Sequence, residues 1–244
     1  MTNWFRIGTA GWNVPSAYID QIPAGGSHLE RYARRFGAVE INSSFHRPHR
    51  RATYQRWAQA VPDSFRFAVK LPKAITHEAG LTGCRALLDR FIDEVSGLGD
   101  KLGVLLAQLP PKSELKKRVA NSFFRDLRAR SGADLVLEPR HPSWFAEGVS
   151  EWLAQNEVVR AAADPARVAG ADKPGGCNKL AYYRWHGSPR IYYSDYGAAA
   201  LAALKRHLED RARESSTWCI FDNTTSGAAL GNALTLARSL QRQR

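Results

Sequence analysis

Short apolar stretches recur along the chain, and most of them end in a charged or polar side chain. Each has the length of a buried strand in a parallel sheet, where both faces are covered and the pattern reads as nearly continuous apolar residues. The stretches are Phe5 to Thr9, Ala38 to Asn42, Phe65 to Lys70, Gly103 to Gln108, Asp134 to Glu138, Val158 to Asp164, Ala181 to His186 and Thr217 to Asp222.

Between these stretches, apolar residues repeat at helical spacing. Ser27 and Glu30 form a capping box, and Leu29, Tyr32 and Phe36 follow at helical spacing. The segment 165–176 is loop-like, which makes the sixth unit the weakest. The other predicted helices are Ala52 to Ala60, Arg85 to Leu98, Ser113 to Arg130, Ser143 to Asn156, Gly197 to Arg213 and Gly227 to Arg242.

Alternation of strands and helices predicts an α/β fold with a parallel sheet, because parallel strands need crossover connections. We expect a single domain over residues 1–244 that forms a TIM-type (β/α)8 barrel, irregular around the sixth unit. A doubly wound open sheet is the alternative. It is disfavoured because no G-x-G-x-x-G sequence follows any predicted strand.

A parallel barrel brings the carboxyl ends of its strands to one rim, where barrel enzymes keep their active sites. The polar residues at these ends are therefore the candidate site. The candidate catalytic residues are Glu40, Lys70, Glu138, His186 and Asp222. The candidate substrate-binding residues are Trp12, Asn42, His77, Gln108, Arg140, His141, Trp144, Asp164, Arg184, Tyr192 and Asn223.

Strand periodicity places Glu40 and Asn42 on one face of the second strand, which in a barrel is the interior. These two residues could equally bridge the barrel core through hydrogen bonds without any catalytic role. Lys70 lies on the equivalent face of the third strand. It could neutralise a phosphate, pair with Glu40 or act as a base.

The densest group of candidates follows the fifth strand, where Glu138, Arg140 and His141 lie within four residues. A carboxylate, a guanidinium and an imidazole at one strand end are typical of a functional site. The structural alternative is an ion pair between Arg140 and Glu138 that shapes the loop.

Arg184 and His186 share one face of the seventh strand. A guanidinium and an imidazole that project together indicate an anionic ligand, because arginine binds phosphate and carboxylate through two parallel hydrogen bonds. A metal site is conceivable from Glu40, Glu138, Asp164, His186 and Asp222. However, the nearby cations Lys70, Arg140 and Arg184 would repel a metal ion. We therefore expect neither a metal nor a cofactor.

The formal charge of +12 and a pI near 10.0 favour an anionic partner, of which nucleic acid is one. The same excess of arginine could simply cover exposed helix faces. The three cysteines, Cys84, Cys177 and Cys219, are far apart and are expected to be reduced. Neither a signal peptide nor a membrane-length apolar run is recognisable, so a cytoplasmic location is expected, with no membrane partner.

Several of these segments together resemble the DUF72 family, also called YecE-like proteins. The resemblance rests on the segments 7–12, 39–45, 67–72 with 75–77, 108–111, Glu138, 140–141, 143–144, 183–187 and 221–224, followed by Gly227-Ala228 and Asn232-Ala233. These segments span nearly the whole chain in order. The resemblance implies a TIM-type barrel but no settled function.

Three functions remain open from the sequence. The first is a metal-independent enzyme, a hydrolase or lyase, that acts on a phosphate-bearing substrate such as nucleic acid. In it, Lys70, Arg140 and Arg184 would hold the anion, while Glu40, Glu138 and His186 would transfer protons. The second is a non-catalytic nucleic-acid-binding protein, and the third is a carbohydrate-active barrel that uses Glu40 and Glu138.

Overall fold

The computed structural model describes residues 5–241, in which strands and helices alternate along the chain. Every predicted apolar stretch contains strand residues, and the sixth is interrupted at Ala161. The strands are β1 (Phe5–Thr9), β2 (Ala38–Ile41), β3 (Arg66–Lys70), β4 (Leu102–Gln108), β5 (Asp134–Glu138), β6 (Val159–Arg160), β7 (Ala162–Asp164), β8 (Gly175–Gly176), β9 (Leu180–Trp185) and β10 (Ser216–Phe221).

The helices agree with the predicted ones except at two starting points. One predicted helix begins at Lys117 rather than Ser113, because the chain after Pro110 and Pro111 is irregular. The predicted end at Arg242 lies outside the described residues. The helices are α1 (His28–Ala33), α2 (Arg51–Gln59), α3 (Arg85–Val95), α4 (Lys117–Arg128), α5 (Val149–Gln155), α6 (Ala198–Ala212) and α7 (Ala228–Gln241).

The second difference concerns α5, which was predicted to start at Ser143. A short 3-10 helix, Pro142–Phe145, comes first, and then Ala146 is extended. Gly148 has a positive φ of 72° directly before α5. This left-handed conformation favours glycine and separates the two helical segments.

The strands form two sheets, in the orders β1-β10-β9-β7 and β2-β3-β4-β5-β6-β8. All pairings within the described part of the chain are parallel except that of β6 with β8. The protein is therefore a mixed α/β fold with parallel sheets. The two sheets meet at Ala10, which bridges Glu40, and the chain passes from β6 in one sheet to β7 in the other through Ala161.

Gly8 permits the close approach of β1 to β2. A Cβ atom at this position would lie 2.3 Å from Ala38 O and 3.1 Å from the Tyr32 hydroxyl. Only glycine avoids this clash, so its identity determines how the two sheets meet.

The sixth unit is irregular. Between β7 and β9 the described chain has no helix; it turns through residues 165–174 and returns as β8 to pair with β6. This irregular path explains why residues 165–176 show no clear helical pattern in the sequence.

Alternate residues of the strands pack into two separate apolar cores. The outer core lies between the sheets and the helices. The inner core lies on the other face of the strands and contains Ala38, Ala68, Val104, Leu106, Val136, Tyr182, Trp218 and Ile220, among others. Because side chains of a strand alternate, residues two or four positions after those of the inner core point to the same side of their strands. These later residues lie at the carboxyl ends of the strands. They include Glu40, Lys70, Glu138, Arg184 and Asp222. No helix among residues 5–241 is long and apolar enough to span a bilayer.

Candidate functional site

Arg184, on β9, lies at the centre of a cluster of carboxylates and is fully buried. Its Nη2 donates to Glu40 Oε1 at 2.6 Å and to Asp222 Oδ2 at 3.1 Å. Its Nε donates to Glu40 Oε2 at 3.0 Å, and its Nη1 donates to Glu138 Oε2. The three carboxylates thus share a cation that the chain itself supplies, and they raise the pKa of Arg184 well above its ordinary value despite burial.

Glu40 forms the closed inner end of the cluster. Besides Arg184, its Oε2 accepts a hydrogen bond from the Tyr182 hydroxyl at 2.8 Å. Neither Glu40 nor Arg184 exposes side-chain surface. Both oxygens of Glu40 are occupied, so this carboxylate orients Arg184 and has no free position for a ligand.

Glu138, at the end of β5, connects the inner cluster to the rim. Its Oε1 accepts from Gln108 Nε2 at 3.1 Å and from Arg140 Nε at 3.0 Å. Burial alone would raise the pKa of Glu138, but Arg184, His186 and Arg140 outweigh it and hold that pKa well below the ordinary value. Glu138 is therefore a carboxylate at neutral pH.

His186 lies between two carboxylates just beyond the end of β9. Its Nδ1 is 2.9 Å from Asp222 Oδ2, and its Nε2 is 3.4 Å from Glu138 Oε1. Burial disfavours the imidazolium, but Glu138 and the hydrogen bonds to Asp222 and Glu138 raise the pKa of His186 above its ordinary value. Asp222 has a lowered pKa, since Arg184 and His186 outweigh its burial. This pair favours the protonated imidazole, so His186 can serve as a proton donor.

Lys70, at the end of β3, is a buried ammonium beside this cluster, with 9% of the residue exposed. Its Nζ lies 4.2 Å from the centre of the Phe45 ring, and no carboxylate among residues 5–241 pairs with it. Burial, and then the charge of Arg184, lower the pKa of Lys70 to about 8, although Glu138, Glu40 and Asp222 act in the opposite direction. This cation therefore lacks the close partner that Arg184 has.

Asn42 follows β2 and points towards Asp222, with Nδ2 3.4 Å from Asp222 Oδ1. Its own Oδ1 is buried and accepts no hydrogen bond within the described structure. A buried carbonyl without a donor is costly. The amide is thus ready to accept a hydrogen bond from a ligand or a water.

A narrow cleft leads to this cluster between Glu138, Arg140 and His186 on one side and Pro165, Ala171 and Ile191 on the other. Tyr192, next to Ile191, is 39% exposed and meets the His186 ring edge-on at 6.0 Å between centroids. Its φ of 69° is unusual for an aromatic residue. The segment after β9 therefore covers His186.

The structure places the remaining candidates around the cluster rather than in it. His77 contacts the Phe45 ring, and its Nδ1 is 2.9 Å from the Thr76 hydroxyl. His141 Nδ1 is 2.9 Å from the Ser143 hydroxyl. Trp12 packs edge-on against Trp57, with ring centroids 5.0 Å apart.

Three further candidates have structural partners of their own. The indole of Trp144 is buried and donates to Ser113 O at 2.8 Å. Asp164 Oδ1 accepts from the Tyr196 hydroxyl at 2.7 Å. Asn223 Nδ2 donates to Asn232 Oδ1 at 2.8 Å and to Ser194 O at 2.9 Å. Asp164 and Asn223 hold the loop before α6 in place.

The candidate residues did not include Tyr182 and Phe45, which touch the cluster directly. Tyr182 lies on the same face of β9 as Arg184, so the strand periodicity contains a signal for it. Phe45 lies in the short 3-10 helix Ser43–Phe45, where no periodicity predicts its contact with Lys70.

No group of three or more His, Cys, Asp or Glu side chains in residues 5–241 is arranged to hold a metal ion. The guanidinium of Arg184 occupies the position among Glu40, Glu138 and Asp222 that a metal would need. The residues present therefore do not form a metal centre around these three carboxylates.

The fold belongs to a defined class of α/β proteins. Residues 6–244 match the family described as "Protein of unknown function DUF72", and the chain belongs to this family. The resemblance found in the sequence is thus confirmed. The family description assigns no activity.

Individual relatives agree with this assignment. The chain is 32% identical to UPF0759 protein YecE of Escherichia coli (strain K12) over 145 residues, which cover 59% of this chain and 52% of that protein. The match therefore spans about half the length of that relative. The chain is 22% identical to UPF0759 protein YunF of Bacillus subtilis (strain 168) over 257 aligned positions, covering 93% of this chain and 91% of that protein.

Two crystal structures share the fold. A DUF72 family protein of Enterococcus faecalis V583 superposes with a TM-score of 0.81 at 20% identity, covering 97% of this chain and 95% of that chain. A DUF72 family protein of Thermotoga maritima MSB8 gives a TM-score of 0.78 at 21% identity, covering 97% of this chain and 99% of that chain.

Proposed function

We propose that the strands form a TIM-type barrel and that its carboxyl-terminal rim is the active site of a metal-independent enzyme. The barrel is supported by the bridge between Ala10 and Glu40, which joins the two sheets, and by the passage of the chain from β6 in one sheet to β7 in the other through Ala161. The polar cluster lies at the carboxyl ends of the strands, where enzymes with this fold carry out their chemistry.

The substrate of this proposed enzyme is an anion that bears a phosphate group. The observation that carries this proposal is the Lys70 ammonium, which is buried at the rim without a paired carboxylate in the part of the chain that the structure describes. A buried charge without a partner is costly unless a ligand compensates it. Arg140 lies on the opposite side of Glu138 from Arg184, and burial together with Lys70 and Arg140 lowers the pKa of nearby His77. Cations therefore surround the position at which the phosphate would bind.

His186 is the proton donor and acceptor in this mechanism. Asp222 at Nδ1 fixes the ring and stabilises its charged form, and Glu138 lies near Nε2. For a phosphate ester held by Lys70 and Arg140, water attacks the phosphorus, the bond from phosphorus to the leaving oxygen breaks, and the proton on Nε2 passes to that oxygen, which is the acid catalysis that a hydrolase uses. Glu138 stabilises the imidazolium before the transfer.

Arg184 and Glu40 have a different role from the one expected from the sequence. The donors of Arg184 are directed at carboxylates and its side chain is closed to solvent, so it has no free face for an anion. Glu40 is equally closed, so it does not transfer protons to a substrate. The pair acts as a scaffold that holds Glu138 and Asp222 in position. A glycosidase arrangement, in which two carboxylates flank a bond, is disfavoured because Glu40 and Glu138 both bind Arg184.

Calorimetric titration with inorganic phosphate tests the binding part of the proposal. Lys70→Met should raise the Kd at least tenfold, as expected for the loss of one charged contact of about 1.5–3 kcal/mol. Lys179→Met is the matched control, since this half-exposed lysine precedes β9 at the other end of the strands. Equal Kd values for both variants and the wild type would contradict the proposal.

Turnover tests the catalytic part. On a panel of phosphate monoesters and diesters, His186→Asn and Glu138→Gln should lower kcat by about 10²-fold or more, the contribution of a positioned acid or base. Both variants should still bind phosphate. If the wild type turns over no ester on the panel, or if both variants keep wild-type kcat on an ester that it does turn over, the catalytic assignment is wrong.

A further inference from the structure

A second cavity lies beside the cluster, between the segment that follows β3 and the start of α4. Its volume is about 340 Å³. This is at the lower end of the range of about 300–1,000 Å³ found for small-molecule sites. The proposed mechanism does not use this cavity.

The lining of this cavity is partly apolar and partly charged. Leu81, Val119 and Trp144 are among its apolar residues, and Lys112, Lys116 and Glu114 are its charged ones, with cations in excess. The hydrogen bond from Trp144 to Ser113 O fixes the indole in the wall. A fixed apolar wall of this kind fits the face of a planar ring or a sugar, because contact between the two removes apolar surface from water and so favours binding.

His77 connects the cavity to the polar cluster. Its side chain lines the cavity, and its ring also contacts Phe45, whose face carries the Lys70 ammonium. Burial, and then Lys70 and Arg140, lower the pKa of His77, which is consistent with its position close to both cations. A neutral imidazole there can donate or accept a hydrogen bond at the junction.

We infer that the substrate is a phosphate ester with a ring-bearing organic group, whose phosphate binds Lys70 and Arg140 while its ring occupies this second cavity past His77. The inference rests on the proposed phosphate site and adds the chemical class of the organic group that the phosphate is attached to. Lys112 and Lys116 favour the approach of such an anion through long-range attraction.

Two variants fill the cavity without touching Lys70 or Arg140. Val119→Trp and Thr82→Trp each add an indole to the lining of this cavity, although both residues also line a neighbouring cavity of about 470 Å³. Thr82 is exposed, so this position tolerates substitution more easily. Leu87→Trp is the control, because the exposed Leu87 lines a different cavity of about 420 Å³ beside α3.

The titrated probes are adenosine 5′-monophosphate, phenyl phosphate and inorganic phosphate. The wild type should bind both ring-bearing esters at least tenfold more tightly than inorganic phosphate. Val119→Trp and Thr82→Trp should remove this advantage and leave the Kd of inorganic phosphate unchanged, while Leu87→Trp should bind all three probes like the wild type.

Several results would overturn the inference. If inorganic phosphate binds but the esters bind no more tightly, the proposed phosphate site stands and the second cavity is not part of it. The same conclusion follows if the folded Thr82→Trp variant keeps the full advantage of the esters. If none of the probes binds to the wild type, both the phosphate site and this inference are wrong.

Discussion

Arg184 binds Glu40 through two parallel hydrogen bonds, from Nη2 to Oε1 at 2.6 Å and from Nε to Oε2 at 3.0 Å. Neither side chain exposes any surface, although the two residues lie 144 positions apart in the chain. Such a pair contributes little net stability when it is intact, because desolvation offsets the attraction. Removal of the Glu40 charge, however, takes two charge-assisted hydrogen bonds from the buried Arg184 and leaves it only Glu138 and Asp222 as counter-ions.

Glu40→Gln should therefore destabilise the protein by about 3–5 kcal/mol. For a chain of this size, that corresponds to a melting temperature lower by roughly 10 °C. Chemical denaturation and calorimetry measure both quantities. Glu78→Gln is the control, since the exposed pair of Glu78 with Lys73 at 3.2 Å should contribute no more than about 1 kcal/mol. Equal stability of the two variants would show that Glu40 is not the counter-ion of Arg184.

Anion binding should depend on pH through Lys70. The pKa of its ammonium is lowered to about 8, so the cation is present below this pH and is lost as the pH rises through it. Sulfate is a suitable ligand, because its charge does not change in this range. Its Kd should rise about tenfold between pH 7 and pH 9, as the ammonium loses its proton. Lys70→Arg should keep sulfate binding at pH 9, and a wild-type Kd that is flat over this range would argue against Lys70.

Asp222→Asn should lower the pKa of His186 by about one unit or more, since the hydrogen bond to its Nδ1 favours the charged ring. Nuclear magnetic resonance of the imidazole nitrogens measures this pKa. Asp164→Asn is the matched control, because the Asp164 carboxylate binds Tyr196 rather than His186. An unchanged pKa in Asp222→Asn would remove Asp222 from the proposed acid.

The raised pKa of His186 also has a consequence for folding. A group whose pKa is higher in the folded state stabilises the protein fully below its unfolded pKa, and this stabilisation is lost as the pH rises through the folded pKa. The difference in unfolding free energy between the wild type and His186→Asn should thus be largest in mildly acidic solution and should shrink above neutral pH. A difference that grows with pH would contradict the assignment.

Gly8→Ala should disturb the contact between the two sheets. The added Cβ would lie 2.3 Å from Ala38 O, so β1 and β2 must separate. The free energy of unfolding should fall by about 2–4 kcal/mol, which is at or slightly above the cost of most overpacked core substitutions. Gly132→Ala is the control, as a Cβ there meets nothing within 4 Å. If Gly8→Ala and Gly132→Ala have the same free energy of unfolding, the sheets do not meet as the barrel proposal requires.

Strand periodicity predicted much of the site. Glu40, Lys70, Glu138 and Arg184 fall on one face of their strands because side chains alternate, and parallel strands bring these positions to the same end. The pattern does not reveal which charges pair across the interior. Arg184 was therefore expected to hold a ligand anion, whereas the structure surrounds it with carboxylates from three other strands or strand ends.

Loop residues were harder to place. Asp164 ends β7, and Asn223 follows β10. Both were expected in the site, but both turn towards the segment before α6. The direction of a side chain beyond the last paired residue depends on the local backbone and not on a period. The positive φ of Tyr192 and the contact of Phe45 with Lys70 are likewise set by tertiary packing.

The most direct test is a crystal of this protein soaked with selenate and measured at the selenium absorption edge. We predict an anomalous peak within hydrogen-bonding distance of Lys70 Nζ and the Arg140 guanidinium, and no such peak there in Lys70→Met. A peak confined to other surface cations, with the rim beside Lys70 and Arg140 empty at saturating selenate, would contradict the account.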